Sequence, residues 1–303
     1  MRWGLLHVLF ALVGAPLLAG VINRTKAFFG GRHGPSFFQL YYDIFKLLRK
    51  DAVYSRTTSW IFRTAPPIEL AAVLLALLFT PLGSTAAWLC FQGDLLLVVY
   101  ALGLMRFMII SAALDTGSAF EGMGASREAQ LSALAEVALL VALLAVAAFT
   151  KSFSLSAFAA QAWAAGLVWP ANAILPLVSA ALLVVLLAEN ARLPFDDPNT
   201  HLELTMIHEA MILDHCGVDL AFIEYGSALK MWILSAILVS MALPLRASSS
   251  LLNFATGLGA MVIVALLVGY IESVMARLRL IRTPQLLVTA GVLSFLAVMV
   301  AMR

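Results

Sequence analysis

Between residues 189 and 224 the chain concentrates side chains able to hold and pass protons. Glu189-Asn190-Ala191-Arg192-Leu193-Pro194-Phe195-Asp196 leads through Thr200-His201-Leu202-Glu203 to His208-Glu209, Asp214-His215 and Glu224. Carboxylates close to one another raise each other's pKa and exchange protons through intervening water, and histidine titrates near neutrality. Glu189, Glu203, Glu209 and Glu224 are therefore candidate relay groups; a merely solvated acidic loop is the competing reading. His201, His208 and His215 recur every seven residues and share one helical stripe. Seven residues rise about 10.5 Å along a helix, too far for two of them to share one metal ion. His208-Glu209 does not fit the HExxH zinc pattern either. Thr200 and Glu203 form a capping-box pattern that opens a helix.

A second group lies earlier, with Asp115, Glu121, Arg127, Glu128 and Glu136. Ser126 fits an N-cap and Glu128 the first turn of a helix, where a negative charge suits the dipole. Capping does not account for Glu136, roughly two turns into an apolar stretch, and an ionisable group at that depth is a functional candidate by default. Pairing with Arg106 or Arg127 for structure alone is the alternative. Glu272, just before Arg277 and Arg279, is open to the same two readings.

These residues need a frame, and composition indicates which. The 303 residues are 62% hydrophobic and 12% charged, with a mean hydropathy of +0.97. About 25% charged residues is usual for a soluble domain. Lipid must be the solvent for this much apolar surface, and a bilayer core about 30 Å thick takes about 20 residues per helix. Apolar runs predict eight spans, at 4–22, 67–90, 94–114, 131–150, 170–189, 226–245, 253–275 and 284–302. The first is read as a membrane helix rather than a signal sequence, and Pro81 is expected to bend or shorten the second. The fold class is thus all-α: one polytopic membrane domain over 1–303, with cytoplasmic loops at about 23–65, 115–130, 190–225 and 276–283. Most of the 19 Lys and Arg residues fall in those loops, and only Arg2, Lys151, Arg246 and Arg303 lie on the opposite side. The positive-inside rule then puts both termini outside, periplasmic if the membrane is a bacterial inner membrane. A net charge of +2 gives no reason to expect nucleic acid. Cys90 and Cys216 form no CxxC pair, so an iron–sulfur or zinc site built from this chain's own thiolates is not expected.

In the first loop, Gly30-Gly31-Arg32-His33-Gly34-Pro35 is turn chemistry. Phe37, Phe38, Leu40, Tyr41, Ile44, Phe45, Leu47 and Leu48 then recur at helical spacing, ending in Lys46, Arg49 and Lys50. That pattern predicts an amphipathic helix, either lying at the membrane surface or offering a docking face to a soluble partner.

Three segments taken together resemble one family. Gly31-Arg32-His33-Gly34-Pro35 with Asp43-Ile44-Phe45-Lys46-Leu47 is similar to the RRxGP…DxxKLL region of subunit 1 of NADH:quinone oxidoreductase, the H subunit of bacterial complex I. Gly124-Ala125-Ser126-Arg127-Glu128 with Glu136 resembles its G-A-x-R…E region. Glu189 through Asp196, followed by Glu203, resembles its E-x-x-R-x-P-F-D…E signature. Asp115-Thr116-Gly117-Ser118, Pro198 through Met211 and Ser273 through Leu280 look closer to the membrane subunits of energy-converting nickel–iron hydrogenases, including formate hydrogenlyase and hydrogenase-4-type complexes. The complex I form carries an acidic E-x-E-x-E run where this chain has Asn199-Thr200-His201-Leu202-Glu203, which counts against direct quinone binding.

The resemblance implies a coupling and anchoring subunit that catalyses nothing alone and binds no cofactor itself. Its expected partners are hydrogenase-like large and small subunits and an iron–sulfur subunit, which carry the nickel–iron centre and the clusters, together with antiporter-like membrane subunits and the lipid bilayer. The expected proton relay comprises Glu136, Glu189, Glu203, Glu209, Glu224 and Asp115, with Arg127 and Arg192 holding the carboxylates. Arg32, Gly34, Pro35, Asp43 and Lys46 are the expected docking residues. The alternatives are a quinone-site subunit of an NADH:quinone oxidoreductase and a passive hydrogenase anchor.

Overall fold

The computed structural model describes residues 2–159, 171–196, 206–242, 249–276, 278 and 282–302. Named in chain order, the helices are α1 (Arg2–Phe29), α2 (Gln39–Leu48), α3 (Trp60–Leu78), α4 (Asp94–Asp115), α5 (Ala119–Thr150), α6 (Ala171–Glu189), α7 (His208–Met211), α8 (Gly217–Ala242), α9 (Ser250–Val274) and α10 (Thr283–Ala301). Among the described residues, seven helices are long and apolar enough to cross a membrane: α1, α3, α4, α5, α8, α9 and α10. The apolar α6 packs with them, against α5, α8 and α10. The protein is a polytopic all-α membrane protein.

Helix α8 is the axis of the bundle. It packs against α1, α2, α3, α6 and α9, and its apolar stretch is 78% buried, against 22% for α10. A helix hidden on all sides exposes few residues to lipid, so the ionisable groups on α8 face protein. Close approach to the neighbouring helices is bought with small side chains. At Gly269 of α9 a Cβ would lie 2.7 Å from Thr25 Cβ on α1. Toward the end of the bundle opposite the polar loops, Trp232 Nε1 donates to His7 Nε2 at 2.9 Å, fastening α8 to α1.

Several helix ends differ from the sequence expectation for identifiable reasons. The second span is not 67–90 but Trp60–Leu78. Ser59 caps its start by accepting from Ile61 N at 3.2 Å. Its end is set where Thr80 Oγ1 bonds back to Ala76 O at 2.9 Å and Pro81, lacking an N–H, follows. Pro81 therefore lies beyond the helix, beside a turn closed between Leu82 and Thr85. Helix α5 starts at Ala119, not near 131. Ser126 is thus inside the helix, its hydroxyl bonded to Met123 O at 2.9 Å rather than capping. The predicted loop 115–130 is largely a helical extension, and α8 likewise begins at Gly217, within the predicted loop 190–225. Helix α2 matches the expected amphipathic segment and buries none of its residues. The Thr200–Glu203 capping pattern lies outside the described residues.

Asp94 organises the opposite end of the bundle. Its buried carboxylate accepts from Leu155 N at 2.7 Å and from Ser154 Oγ at 2.8 Å, tying the start of α4 to the segment after α5. Hydrogen bonds to a buried charged group contribute about 1.5–3 kcal/mol, and cutting them strands their donors. Asp94→Ala is expected to destabilise the chain by about 2 kcal/mol, read as a lower melting temperature in detergent.

Candidate functional site

The site begins with one guanidinium in the membrane. Arg106, on α4 and almost fully buried, reaches Glu136 Oε2 of α5 at 3.1 Å through Nη2. Through Nη1 it contacts Glu189 at the end of α6, and more distantly Ser132 O at 3.5 Å. Lys230 of α8 approaches Glu189 Oε2 at 4.0 Å. Three helices other than α4 thus converge on a cluster of opposite charges. A lone charge in hydrocarbon is expensive and a fully paired one far less so.

A cavity of about 410 Å³ lies beside this cluster. Its walls come from α1 (Asn23), α2 (Gln39, Asp43), the turn after α6 (Asn190, Arg192, Asp196), α7 (His208, Glu209) and α8 (Glu224, Ser227). Arg192 is held from behind, its Nη1 donating to Glu272 Oε1 at 3.4 Å, while Lys26 Nζ lies 3.6 Å from Glu272 Oε2. Asp196 Oδ2 accepts from Ile207 N and His208 N, both at 3.2 Å, and so fixes the start of α7 over the cavity. From α5, Arg127 donates to Met206 O at 3.1 Å and Glu121 accepts from Asp214 N at 3.0 Å. The 206–214 segment is therefore braced by the N-terminal end of α5, and Gly124 permits the approach: a Cβ there would lie 2.9 Å from Ala210 Cβ.

Burial, reinforced by the positive charges of Lys230 and Arg192, pushes the His208 imidazole down to about 4. The ring is neutral at physiological pH. His215 is lowered to about 4 by burial alone; it stacks flat on Phe62, ring centroids 4.0 Å apart. The folded chain keeps His215 neutral until about pH 4, whereas an unfolded chain protonates it near 6.5. The unfolded state then binds more protons in that window, so this group's contribution to stability is lost as pH falls from about 6.5 to about 4. His215→Phe is expected to flatten the acid limb of the melting-temperature profile over this range.

Of the expected relay residues, Glu136 and Glu189 meet on Arg106, and Glu209 and Glu224 line the cavity. Glu203 lies outside the described residues. Asp115 is placed elsewhere, accepting from Ser59 N at 2.6 Å at the start of α3. The structure puts Arg192 on a carboxylate, that of Glu272. It puts Arg127 on a backbone carbonyl and on Met123 Sδ, at 3.1 Å. Among the expected docking residues, Arg32, Pro35 and Lys46 are exposed, Gly34 is half-buried against α1, and Asp43 faces the cavity. Sequence reasoning treated Arg106 only as a structural partner, counted Lys230 merely as a basic residue, and passed over Glu69. The signal for Glu69 was present, as a single acid in the apolar run after Pro67. Among the described residues, no three His, Cys, Asp or Glu side chains gather into a group that could hold a metal ion.

A helical membrane bundle with charged side chains converging inside it and a polar cavity at one end is the architecture of a membrane subunit handling charge. Comparison with known proteins makes that class specific. The family model described as NADH dehydrogenase matches residues 3–302, and the chain belongs to that family, the family of complex I subunit 1. It is 31% identical to formate hydrogenlyase subunit 4 of Escherichia coli (strain K12), across 96% of this chain and 94% of that protein. It is also 31% identical to hydrogenase-4 component C of the same organism, across 78% of this chain and 76% of that one. A chain in the structure of the membrane-bound sulfane sulfur reductase, an archaeal respiratory membrane complex, shares the fold with a TM-score of 0.84 at 22% identity, covering 99% of this chain and 98% of that one.

Proposed function

We propose that this chain is the integral-membrane coupling and anchoring subunit of an energy-converting nickel–iron hydrogenase or formate hydrogenlyase-type complex. It links electron transfer in docked peripheral subunits to proton translocation. The observation that carries this reading is the buried array of Arg106, Glu136, Glu189 and Lys230 beside an acid-lined cavity. An anchor needs apolar helices and a docking face; it does not need ionisable groups within the membrane. The likeness to formate hydrogenlyase subunit 4 and hydrogenase-4 component C supports the branch.

In this mechanism the peripheral subunits, which hold the nickel–iron centre and the iron–sulfur clusters, dock on the cytoplasmic face around Arg32, Pro35, Lys46 and the segment from 206 to 216. A change of charge there is felt first at α7, because Asp196 pins its backbone and Glu209 and His208 project into the cavity. Glu209 and Glu224 collect protons, and Glu203 is a further candidate from the sequence. Lys230 and Arg106 set which of Glu189 and Glu136 retains its negative charge. Antiporter-like membrane subunits alongside carry ions onward. The polar, acid-bearing lining suits water and protons better than a quinone head group. The membrane is the inner, cytoplasmic one, with both termini periplasmic, as the distribution of basic residues supports.

The test is gentle purification of the chain from its native membrane, identification of the co-purifying subunits, and assay for nickel and hydrogen evolution. A nickel-containing assembly with iron–sulfur subunits is the expected result. A nickel-free assembly whose turnover requires quinone would replace this reading with that of an NADH:quinone oxidoreductase subunit. Retained proton translocation in Gln variants of Glu136 and Glu189 would reduce the chain to an anchor.

A further inference from the structure

Glu69, on α3, is fully buried, and neither of its carboxylate oxygens has a hydrogen-bond partner among the described residues. A packed helix normally excludes such a group, because an unsatisfied buried polar atom costs about 1–3 kcal/mol and a buried charge more. The neighbouring helix makes room for it: a Cβ on Gly226 of α8 would lie 3.2 Å from Glu69 Oε1. Four residues further along α8, on the same face, stands Lys230. The charged groups that act on Glu69 are Lys230 and Glu224, both on α8. Helix α4, also packed against α3, carries Arg106, whose guanidinium is occupied by Glu136 and Glu189.

Lys230 is itself incompletely paired. Its Nζ stands 4.0 Å from Glu189 Oε2, beyond hydrogen-bond distance, and that oxygen has no hydrogen-bond partner among the described residues. One ammonium therefore stands 4.0 Å from Glu189 and also acts electrostatically on Glu69, both buried carboxylates with an unsatisfied oxygen. If all were ionised, Glu69, Glu136 and Glu189 would outweigh Arg106 and Lys230 by one negative charge. A proton, not a further cation, is what the site offers to balance it.

We propose that Lys230 exchanges its partner between Glu189 and Glu69, and that each exchange passes one proton between these two carboxylates. This rests on the coupling function proposed above and assigns Glu69 to it. With the ammonium on Glu189, Glu69 carries the proton. As the ammonium swings toward the space beside Gly226, the O–H bond on Glu69 breaks and one forms on Glu189, directly or through water. No electrons move, and the net charge of the three groups is unchanged. Arg106 keeps Glu136 throughout, so the array never contains an unpaired cation.

The experiment measures protons translocated per hydrogen formed by the whole complex in vesicles, together with the infrared difference spectrum of the carboxylic-acid carbonyl stretch on turnover. Glu69→Gln is expected to remove one buried carboxylic-acid band and to cut translocation about a hundredfold, the low end for loss of a proton-transferring side chain. Glu69→Asp is expected to restore part of both. Unchanged translocation in Glu69→Gln, or persistence of every band, overturns the proposal. Should Glu69→Gln fail to assemble, Gly226→Ala, which crowds Oε1, takes its place. Reduced translocation with the subunits still bound then supports the exchange, whereas normal translocation or lost assembly overturns it. A wild-type complex that evolves hydrogen without moving protons refutes the coupling function itself, a result distinct from a pumping wild type indifferent to Glu69.

Discussion

Arg106→Met is expected to destabilise the chain by about 3–5 kcal/mol, the cost of removing one partner of a buried ion pair. The reason is specific to the geometry. Arg106 holds Glu136 at 3.1 Å and also contacts Glu189, whose side chain is almost wholly buried. Methionine fills a similar volume and is at home in an apolar bundle, so packing is preserved and the loss isolates charge. Among the described residues Glu189 would then have only Lys230, at 4.0 Å, and would have to ionise with that one cation or take up a proton. Arg106→Lys tests the same point from the other side. It keeps the charge but not the two-pronged reach that spans Glu136 and Glu189, and so is expected to recover part of the stability and little of the coupling. Melting of the purified chain in detergent, with subunit retention as a second readout, measures both. A melting temperature for Arg106→Met within a degree or two of wild type would show that the cluster is hydrated and the pairing weak.

How much of this site was legible beforehand depends on the range of the interaction involved. Apolar stretches long enough to span a bilayer are a local signal: seven of the eight expected positions correspond to described helices long and apolar enough to cross, and the fifth to the shorter apolar α6. The amphipathic character of 39–48 is also local, fixed by residues three and four apart. Helix boundaries were less readable, because they depend on competition. Nothing local to Ser126 reveals that α5 begins at Ala119, where packing of its extra turns on the 206–214 segment favours helix over loop. At the second span, a run of apolar residues concealed the turn that Thr80 and Pro81 impose. The pairings within the site were legible only as possibilities. Glu136 was identified by its depth, but Arg106 lies 30 residues from it and 83 from Glu189. Only the three-dimensional packing of α4, α5 and α6 brings them together. Arg127 illustrates the reverse: a basic residue beside acidic neighbours in sequence, it turns to Met206 O. Glu69 went unmarked because its meaning comes from Gly226, on a helix more than a hundred positions away.

The distinction between an anchor and a coupling subunit turns on Glu189→Gln. The amide keeps the shape of the carboxylate and still accepts a hydrogen bond from Arg106, so folding and docking are expected to survive, with hydrogen evolution from an artificial electron donor unaffected. Proton translocation per hydrogen is expected to fall by a factor of about 10²–10⁴, the range for removing a group that transfers a proton. Glu136→Gln should be milder. Its side chain is 30% exposed, against 3% for Glu189, so a neutral amide there leaves less enclosed charge uncompensated. Glu189 is more enclosed, lying between two cations at the junction of α4, α6 and α8, where the proposed relay passes a proton from one carboxylate to the next. An equal loss in both variants would argue for a general electrostatic effect of deleting charge. A loss ordered by burial would instead locate the proton's path at Glu189, and with it the step at which redox chemistry in the peripheral subunits is converted into movement of charge.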